Sequence, residues 1–209
     1  CKAIVGGTKQ VHFDKIKALQ PDIILCNKEE NTKEMIQELE KIATVHISDI
    51  YTIEDSIELI ALYGVLFSKG ENANAIIKGI REKKLEFEQF IKDKPNRSTA
   101  YFIWKEPWMV AATHNFIDEL LNLNGFKNYY ADLARYPEVM LSKSEPQSAE
   151  LVLLSTEPYP FKEDHIQEVK AYFPKANILV VDGEMFSWYG SRLLKAFDYF
   201  KTLHQYHLS

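Results

Sequence analysis

The side chains best suited to binding chemistry lie in three aromatic segments of the second half of the sequence. These segments are residues 104–108, 157–161 and 184–189, which read WKEPW, EPYPF and EMFSWY. Large rings in loops expose apolar surface to water unless they cover something. Two interpretations stay open. The rings pack on one another and close the end of a sheet, or they form a flat apolar platform for a large planar or ring-shaped ligand.

Catalytic chemistry has weaker support. The six histidines show no His-Glu-x-x-His spacing, and no Gly-x-Ser-x-Gly nucleophile motif occurs. His114 is the one histidine that we consider as a functional candidate, although a local turn or capping role is favoured. Residues 6–9 (GGTK) lack the full spacing of a phosphate loop. Cys1 and Cys26 are too few for a disulfide framework and lack metal-site spacing, so we predict no catalytic residue and no metal site.

Composition sets broad limits on the function. The 209 residues are 46% hydrophobic and 26% charged, as in ordinary globular proteins, and suffice for one large or two small domains. The net charge of -5 argues against nucleic-acid binding, because no basic stripe is present to neutralise phosphates. No run of about 18 or more apolar residues predicts a membrane span.

Short apolar runs that alternate with helical patterns predict parallel sheets of the α/β class. Strands are predicted at residues 23–26, 44–47, 99–104, 151–154 and 177–181. In such sheets, ligands bind beyond the carboxyl ends of the strands. The three aromatic segments follow the last three of these strands, and we expect each segment to be a loop, residues 182–189 included.

Helix starts can be read from capping residues. Thr52 and Asn115 each precede a helical pattern, and either Asn31 or Thr32 precedes another. The final helix is expected from about residue 190 to residue 204. Arg192, in its first turn, either binds an anion or, as is more common, pairs with a nearby carboxylate.

Residues 71–94 predict one long helix, with an apolar stripe at spacings of three, four and seven. It is either a crossover helix within one sheet or a rigid spine between two lobes with a cleft between them. We adopt the second interpretation. It assigns residues 1–70 to an N-terminal α/β lobe, 71–95 to the linking helix and 96–209 to a C-terminal α/β lobe.

With these elements in order, the chain resembles the helical-backbone (class III) substrate-binding proteins of ABC importers, which carry cobalamin, ferric siderophores or haem. The resemblance lies in residues 6–9, 13–24, 27–31, 150–158 and 182–192. It covers nearly the whole chain, and the order and spacing of the segments carry it. The resemblance implies two doubly wound α/β lobes joined by one long backbone helix, with a ligand cleft between the lobes.

The resemblance also implies a set of ligand contacts in the second lobe. By position, these are Trp104, Trp108, Tyr136, Glu184, Met185 and Phe186, and the aromatic segments add Tyr159 and Trp188. The surroundings of Tyr136, Glu184 and Phe186 are most similar to those in cobalamin- and metal-chelate-binding members. Asn27 stands where a ring-stacking tryptophan is expected from the family.

The resemblance implies an extracytoplasmic protein that captures a metal chelate and delivers it to a permease. Cobalamin is the first choice of chelate, followed by a ferric siderophore or haem. No catalysis and no cofactor are expected, and the protein is expected to be a monomer. The resemblance implies docking on the permease through one exposed glutamate in each lobe, each facing an arginine pocket. The matched positions are Asp14 and Ser142, and Glu145 is a nearby substitute for the uncharged Ser142.

Two alternative functions stay open. One is an α/β enzyme with a nucleotide or metal cofactor in the same cleft, and the other is a sensor or scavenging domain without a transporter.

The start of the chain departs from the family pattern. Members have a further strand and helix before the position of residues 6–9, and we expect the N-terminal lobe to lack them here. Cys1 is then either an internal residue of a longer protein or a lipid-bearing cysteine. The expected location is the periplasm or, as a lipoprotein, the cell surface, with membrane contact only through the permease or a lipid anchor.

Overall fold

A computed structural model describes residues 3–145 and 147–208 of the chain. The chain forms two compact units, Cys1–Asp49 and Ile50–Ser209. Helices and strands alternate through both units, which confirms the predicted α/β class. The lobe boundaries at residues 70 and 95 stay a prediction. Among the described residues, no helix has both the length and the apolar character needed to cross a bilayer.

The first unit is built around two parallel strands. Its elements are β1 (Gly6–Gly7), β2 (Gln10–Val11), α1 (Phe13–Ala18), β3 (Ile23–Asn27), α2 (Lys33–Glu40) and β4 (Thr44–Ser48). Strands β3 and β4 pair in parallel, as predicted from their apolar runs. Buried Ile16, Cys26, Met35 and Leu39 form the core of this unit.

Residues 6–9 form a turn between two short strands. Strands β1 and β2 pair antiparallel, with Gly6 opposite Val11 and Gly7 opposite Gln10. Gly6 has φ 120°, and a Cβ there would lie 2.3 Å from the carbonyl oxygen of Gln10. The hairpin therefore explains the glycine at position 6 without a phosphate ligand.

The second unit contains a five-stranded sheet with helices on both faces. Its elements are α3 (Ile53–Leu66), α4 (Gly70–Ile91), β5 (Arg97–Trp104), β6 (Met109–Val110), α5 (Phe116–Leu123), β7 (Phe126–Asn128), β8 (Leu151–Ser155), α6 (Asp164–Lys170), β9 (Asn177–Val181), α7 (Gly183–Ser187) and α8 (Leu193–Tyr206). The strand order is β6-β5-β8-β9, and β7 pairs with β5. Strands β5, β8 and β9 are parallel, so their carboxyl ends lie at one edge of the sheet.

Successive residues of β5 alternate between two cores. Tyr101 belongs to a large core shared with α3, α4, α5, α7 and α8. Phe102 belongs to a second core on the opposite face, shared with Val169 of α6 and with Phe173. Burial on both faces is the usual condition of parallel strands, and it accounts for their continuous apolar runs.

The predicted helix starts are confirmed. Thr32, Thr52 and Asn115 accept hydrogen bonds from the backbone amides of Met35, Asp55 and Asp118 respectively. At Thr52 the Asp55 carboxylate bonds back to the Thr52 amide and completes a capping box.

One predicted loop is wrong. Residues 182–189 contain the short helix α7, which Asp182 caps by accepting from the Glu184 amide at 3.0 Å. The aromatic and β-branched residues on either side of this one-turn helix mask its helical pattern of hydrophobic residues. The final helix begins later than expected, since Gly190–Arg192 forms a 3-10 turn before α8. Strands β6 and β7 were not predicted, because two or three residues carry no readable alternation.

The long helix is present as α4, which begins one residue earlier and ends three residues earlier than predicted. Its apolar stripe buries Ile80 and Phe87 completely. The Phe87 ring lies 6.1 Å from that of Phe197 and 5.8 Å from that of Phe200, so the stripe packs on α8. On its other neighbour, α3, the close contact is Gly64 against Ala73.

We expect Gly64→Ala to lower the free energy of unfolding by about 1–2 kcal/mol, measured by urea denaturation. The new Cβ would lie 2.5 Å from the Cβ of Ala73, an atom that cannot rotate away. Gly79→Ala is the matched control. Its Cβ would meet only the flexible Cδ2 of Leu194, and helix propensity favours alanine by about 1 kcal/mol. Equal stability of the two variants would contradict a tight α3–α4 contact.

We expect stability to fall as pH decreases from about 6.5 to about 4, because His204 is buried in neutral form. Burial, and then the charges of Lys94 and Arg97, lower the pKa of His204 from 6.5 to about 4. The unfolded chain therefore binds one more proton in this window. The loss is roughly 3 kcal/mol between neutral pH and the folded pKa.

The measurement is urea denaturation at pH values from 7 to 4, with His204→Gln as the control. The glutamine amide replaces the ring in the contact between His204 Nε2 and Asn124 Oδ1, at 3.2 Å, and does not titrate. The variant should lose stability less steeply over this pH range. The same slope in both proteins would show that His204 does not titrate differently in the folded and unfolded states.

Candidate functional site

The carboxyl ends of β5, β8 and β9 bring the three aromatic segments together. The segment after β8 lies between the other two and contacts both. On one side, the ring centroids of Tyr159 and Trp104 are 5.6 Å apart in an edge-to-face arrangement. On the other side, Glu157 Oε1 accepts a hydrogen bond of 2.6 Å from Trp188 Nε1.

A buried hydrogen-bond chain fixes the backbone at the end of β8. The Tyr101 hydroxyl donates to Ser155 Oγ at 3.1 Å, and Ser155 Oγ donates to the carbonyl oxygen of Glu157 at 2.5 Å. Tyr101 is fully buried, and this burial raises the pKa of its hydroxyl far above the usual range, so it stays a neutral donor.

The start of α7 approaches the same strand end closely. The Gly183 amide donates to Thr156 Oγ1 at 3.0 Å. A Cβ at Gly183 would lie 2.4 Å from Ser155 Oγ and 2.6 Å from Glu157 Cγ. Glycine at this position therefore leaves space for the Glu157 side chain, which reaches Ser187 at the end of α7 and Trp188 just after it.

Trp188 is held in place and half-exposed. Its accessible fraction is 49%, and its indole N–H is bound by Glu157. The guanidinium of Arg192 lies 5.3 Å from the ring centroid, within the range of a cation–π contact. Arg192 Nη2 also pairs with Glu184 Oε2 at 2.6 Å. Of the two roles considered for Arg192, the structure shows the pairing with a carboxylate.

The two other tryptophans differ in their surroundings. Trp104, at the end of β5, is 39% exposed. Trp108 is half-buried, lies stacked 6.2 Å from Phe161 and meets Phe102 edge-to-face. The packing interpretation therefore applies to one of these rings, and the ligand-platform interpretation stays a prediction for the exposed ones. Trp108 packs in the core, whereas Trp104 and Trp188 present surface to solvent.

Three further predicted contacts lie in or on the large core. Phe186 is fully buried, with its ring centroid 5.3 Å from that of Tyr101 and 4.8 Å from that of Phe200, so it packs α7 onto the core. Met185 and Tyr136 are partly buried against the same core. The Arg135 guanidinium lies 5.7 Å from the Tyr136 ring. The sheet edge thus exposes Trp104 and Trp188, with Tyr159 and Glu184 half-buried beside them, and it does not expose Phe186.

His114 has a local role, as favoured from the sequence. Its φ of 61° places it in a left-handed turn, and its carbonyl oxygen accepts from Arg135 Nη1 at 3.2 Å. Within residues 3–145 and 147–208, no group of three or more histidine, cysteine or acidic side chains has the arrangement of a metal site.

The two predicted docking residues are exposed. Asp14 lies in the first turn of α1, and Glu145 lies in the irregular segment before β8. Ser142, which the sequence comparison with the family matches to a docking position, has its Oγ 2.8 Å from Ser144 Oγ, and the docking role stays a prediction.

Glu157 is the candidate that sequence reasoning missed. A carboxylate two residues after a buried strand and immediately before Pro158 is a usable signal, because ligands bind beyond the carboxyl ends of such strands. Its partner, Trp188, is 31 positions away in the chain, and no sequence pattern links the two.

The family model described as "Periplasmic binding protein" matches residues 2–168. Solved structures with a similar fold include a periplasmic heme binding protein from Pseudomonas aeruginosa, with 18% identity, TM-score 0.79, and coverage of 98% of this chain and 78% of that one. The periplasmic vitamin B12 binding protein BtuF of Vibrio cholerae has 17% identity, TM-score 0.76, and coverage of 95% and 79%. An ABC-type Fe3+-hydroxamate transport system protein from Saccharomonospora viridis has 20% identity, TM-score 0.71, and coverage of 96% and 74%. No curated protein sequence matches this chain significantly.

Proposed function

This chain belongs to the periplasmic binding protein family, and on that premise we propose that it is the substrate-binding component of an ABC importer that carries a metal chelate. The family resemblance drawn from the sequence is confirmed, and the family implies an extracytoplasmic location. Cobalamin is the first choice of ligand, followed by a ferric siderophore or haem. One observation carries the proposal: two exposed tryptophans, Trp104 and Trp188, stand at a single strand-end edge.

The chemistry of that edge suits a large ligand with flat, apolar surface. Exposed indoles offer wide contact area with few rotatable bonds, so little entropy is lost when a ring system packs on them. Glu184 and Arg192, paired beside Trp188, supply polar groups that can orient amides or carboxylates at the rim of a ligand. Tyr159 extends the platform on the side of Trp104. Tyr136 and Met185 are partly buried against the large core, so ligand contact by these two side chains stays a prediction. Trp108 packs against the second core, and we leave it out of the proposed contacts.

The ligands named for similar structures fit the same chemistry. Those proteins are described as binding vitamin B12 or heme, or as belonging to Fe3+-hydroxamate transport. All three ligands are large metal chelates. The alternative of an α/β enzyme gains no support, since residues 6–9 form a hairpin turn and the described residues contain no candidate metal cluster.

Anchoring and oligomeric state are parts of the proposal that rest on the family alone. Cys1, the candidate for lipid attachment, lies outside the described residues. A monomer that reaches the membrane through its permease or a lipid anchor is the state we propose.

We expect one of three probes, namely cyanocobalamin, haemin or the ferric hydroxamate ferrioxamine B, to quench the intrinsic tryptophan fluorescence saturably after correction for absorbance by the probe. Trp188→Phe should weaken the binding of that probe roughly ten-fold, measured by calorimetry. The smaller ring loses most of a stacking contact with the ligand that is worth about 1.5 kcal/mol. Trp108→Phe is the matched control, since Trp108 is half-buried, and it should leave affinity within about two-fold. Failure of all three probes to bind the folded protein would overturn the chelate proposal.

We expect Asp14→Lys and Glu145→Lys to reduce uptake of the bound chelate by cells several-fold while leaving its affinity in solution unchanged. Both side chains are exposed, and the family docks through acidic residues that face arginine pockets, so charge reversal converts attraction into repulsion. Glu82→Lys, on the exposed face of α4, is the control and should transport normally. Normal uptake by the double variant would remove these residues from the docking surface and favour a sensor or scavenging role.

A further inference from the structure

We propose that Glu157 is a positioning residue of the chelate site: its carboxylate fixes the plane of the Trp188 indole so that the exposed ring is ready to receive the ligand. This inference rests on the function proposed above. It assigns a specific task to a residue that belongs to neither the ligand contacts nor the docking residues predicted from the sequence.

The first support is the pattern of hydrogen bonds at Glu157. One carboxylate oxygen, Oε1, accepts from Trp188 Nε1 at 2.6 Å and from Ser187 Oγ at 3.1 Å. Ser187 Oγ also lies 2.8 Å from the carbonyl oxygen of Gly183, within α7. Hydrogen bonds to an ionised acceptor are shorter and stronger than neutral ones. The carboxylate therefore ties the indole to the last residue of α7.

The second support is that residues of the core hold Glu157 itself in place. Its backbone carbonyl accepts from Ser155 Oγ, which in turn accepts from the fully buried Tyr101. Gly183 leaves room for Glu157 Cγ where any Cβ would come within 2.6 Å of it. A side chain with both its origin and its path fixed can hold a partner in one orientation.

The third support is the position of Arg192 over the ring. Its guanidinium lies 5.3 Å from the indole centroid and is paired with Glu184. The indole is thus held at its edge by one charge and contacted at its face by another, yet half of the side chain stays exposed. A hydrophobic ring that is ordered before a ligand arrives loses less conformational entropy on binding.

The orientation of Trp188 can be measured without a ligand. The chain has three tryptophans, so a 15N–1H correlation spectrum shows three indole N–H signals, and Trp188→Phe assigns one of them. In Glu157→Ala the Trp188 signal should move upfield, and acrylamide should quench the fluorescence more strongly. Glu157→Gln keeps an amide oxygen as acceptor and should restore most of both properties. An unchanged Trp188 signal in Glu157→Ala would overturn the proposal at this stage.

The consequence for binding is measured with whichever of cyanocobalamin, haemin or ferrioxamine B binds the unaltered protein. Glu157→Ala should weaken affinity about 3- to 10-fold, the cost of ordering one free side chain on binding. Glu157→Gln should recover most of that loss. Glu163→Ala, which removes an exposed carboxylate at the start of α6, is the matched control and should bind normally.

A double-mutant cycle separates positioning from direct contact. In a Trp188→Phe background, the further change Glu157→Ala should have no effect on affinity, because the group that Glu157 positions is gone. An equal loss in both backgrounds would show that Glu157 contacts the ligand itself and would overturn the positioning role. Absence of binding by the unaltered protein would instead overturn the proposed function, while the spectra would still report whether Glu157 holds Trp188.

Discussion

The parallel pairing of β5, β8 and β9 is the constraint on which the rest of the second unit depends. Parallel strands must be covered on both faces, and Tyr101 and Phe102 of β5 show this by entering opposite cores. Because these three strands are parallel, each of them ends at the same edge. The candidate site arises there because the three aromatic segments follow these strand ends.

The same constraint sorts the aromatic residues into two groups. Phe186 and Trp108 pack in the cores against neighbouring rings. Trp104 and Trp188 present surface to solvent. Of these two, Trp188 is supported by polar neighbours, Glu157 and Arg192. A chain from Tyr101 through Ser155 and Glu157 to Trp188 connects the buried sheet with its wet edge.

This arrangement fits a binding protein better than an enzyme. The polar groups at the edge are already paired with one another, as Glu184 is with Arg192 and Glu157 with Trp188. Paired groups of this kind orient and stiffen a surface. A catalytic site would instead need an acid, base or nucleophile aimed at a reacting atom, whereas the described edge presents exposed indoles beside these paired groups.

The sequence by itself determined the class of fold, the five principal strands, the long helix and the capped helix starts, because each rests on local signals. Apolar runs, a stripe of period 3.6 and residues such as Thr52 act over a few positions. It also determined that the aromatic segments follow strands. Only the tertiary structure decided which rings are buried, since that depends on what packs above each one. Likewise, only the tertiary structure showed the Glu157–Trp188 bond and the Gly183 approach, because residues far apart in the chain create them. The one-turn helix α7 is local, but five residues are too few to show a helical period.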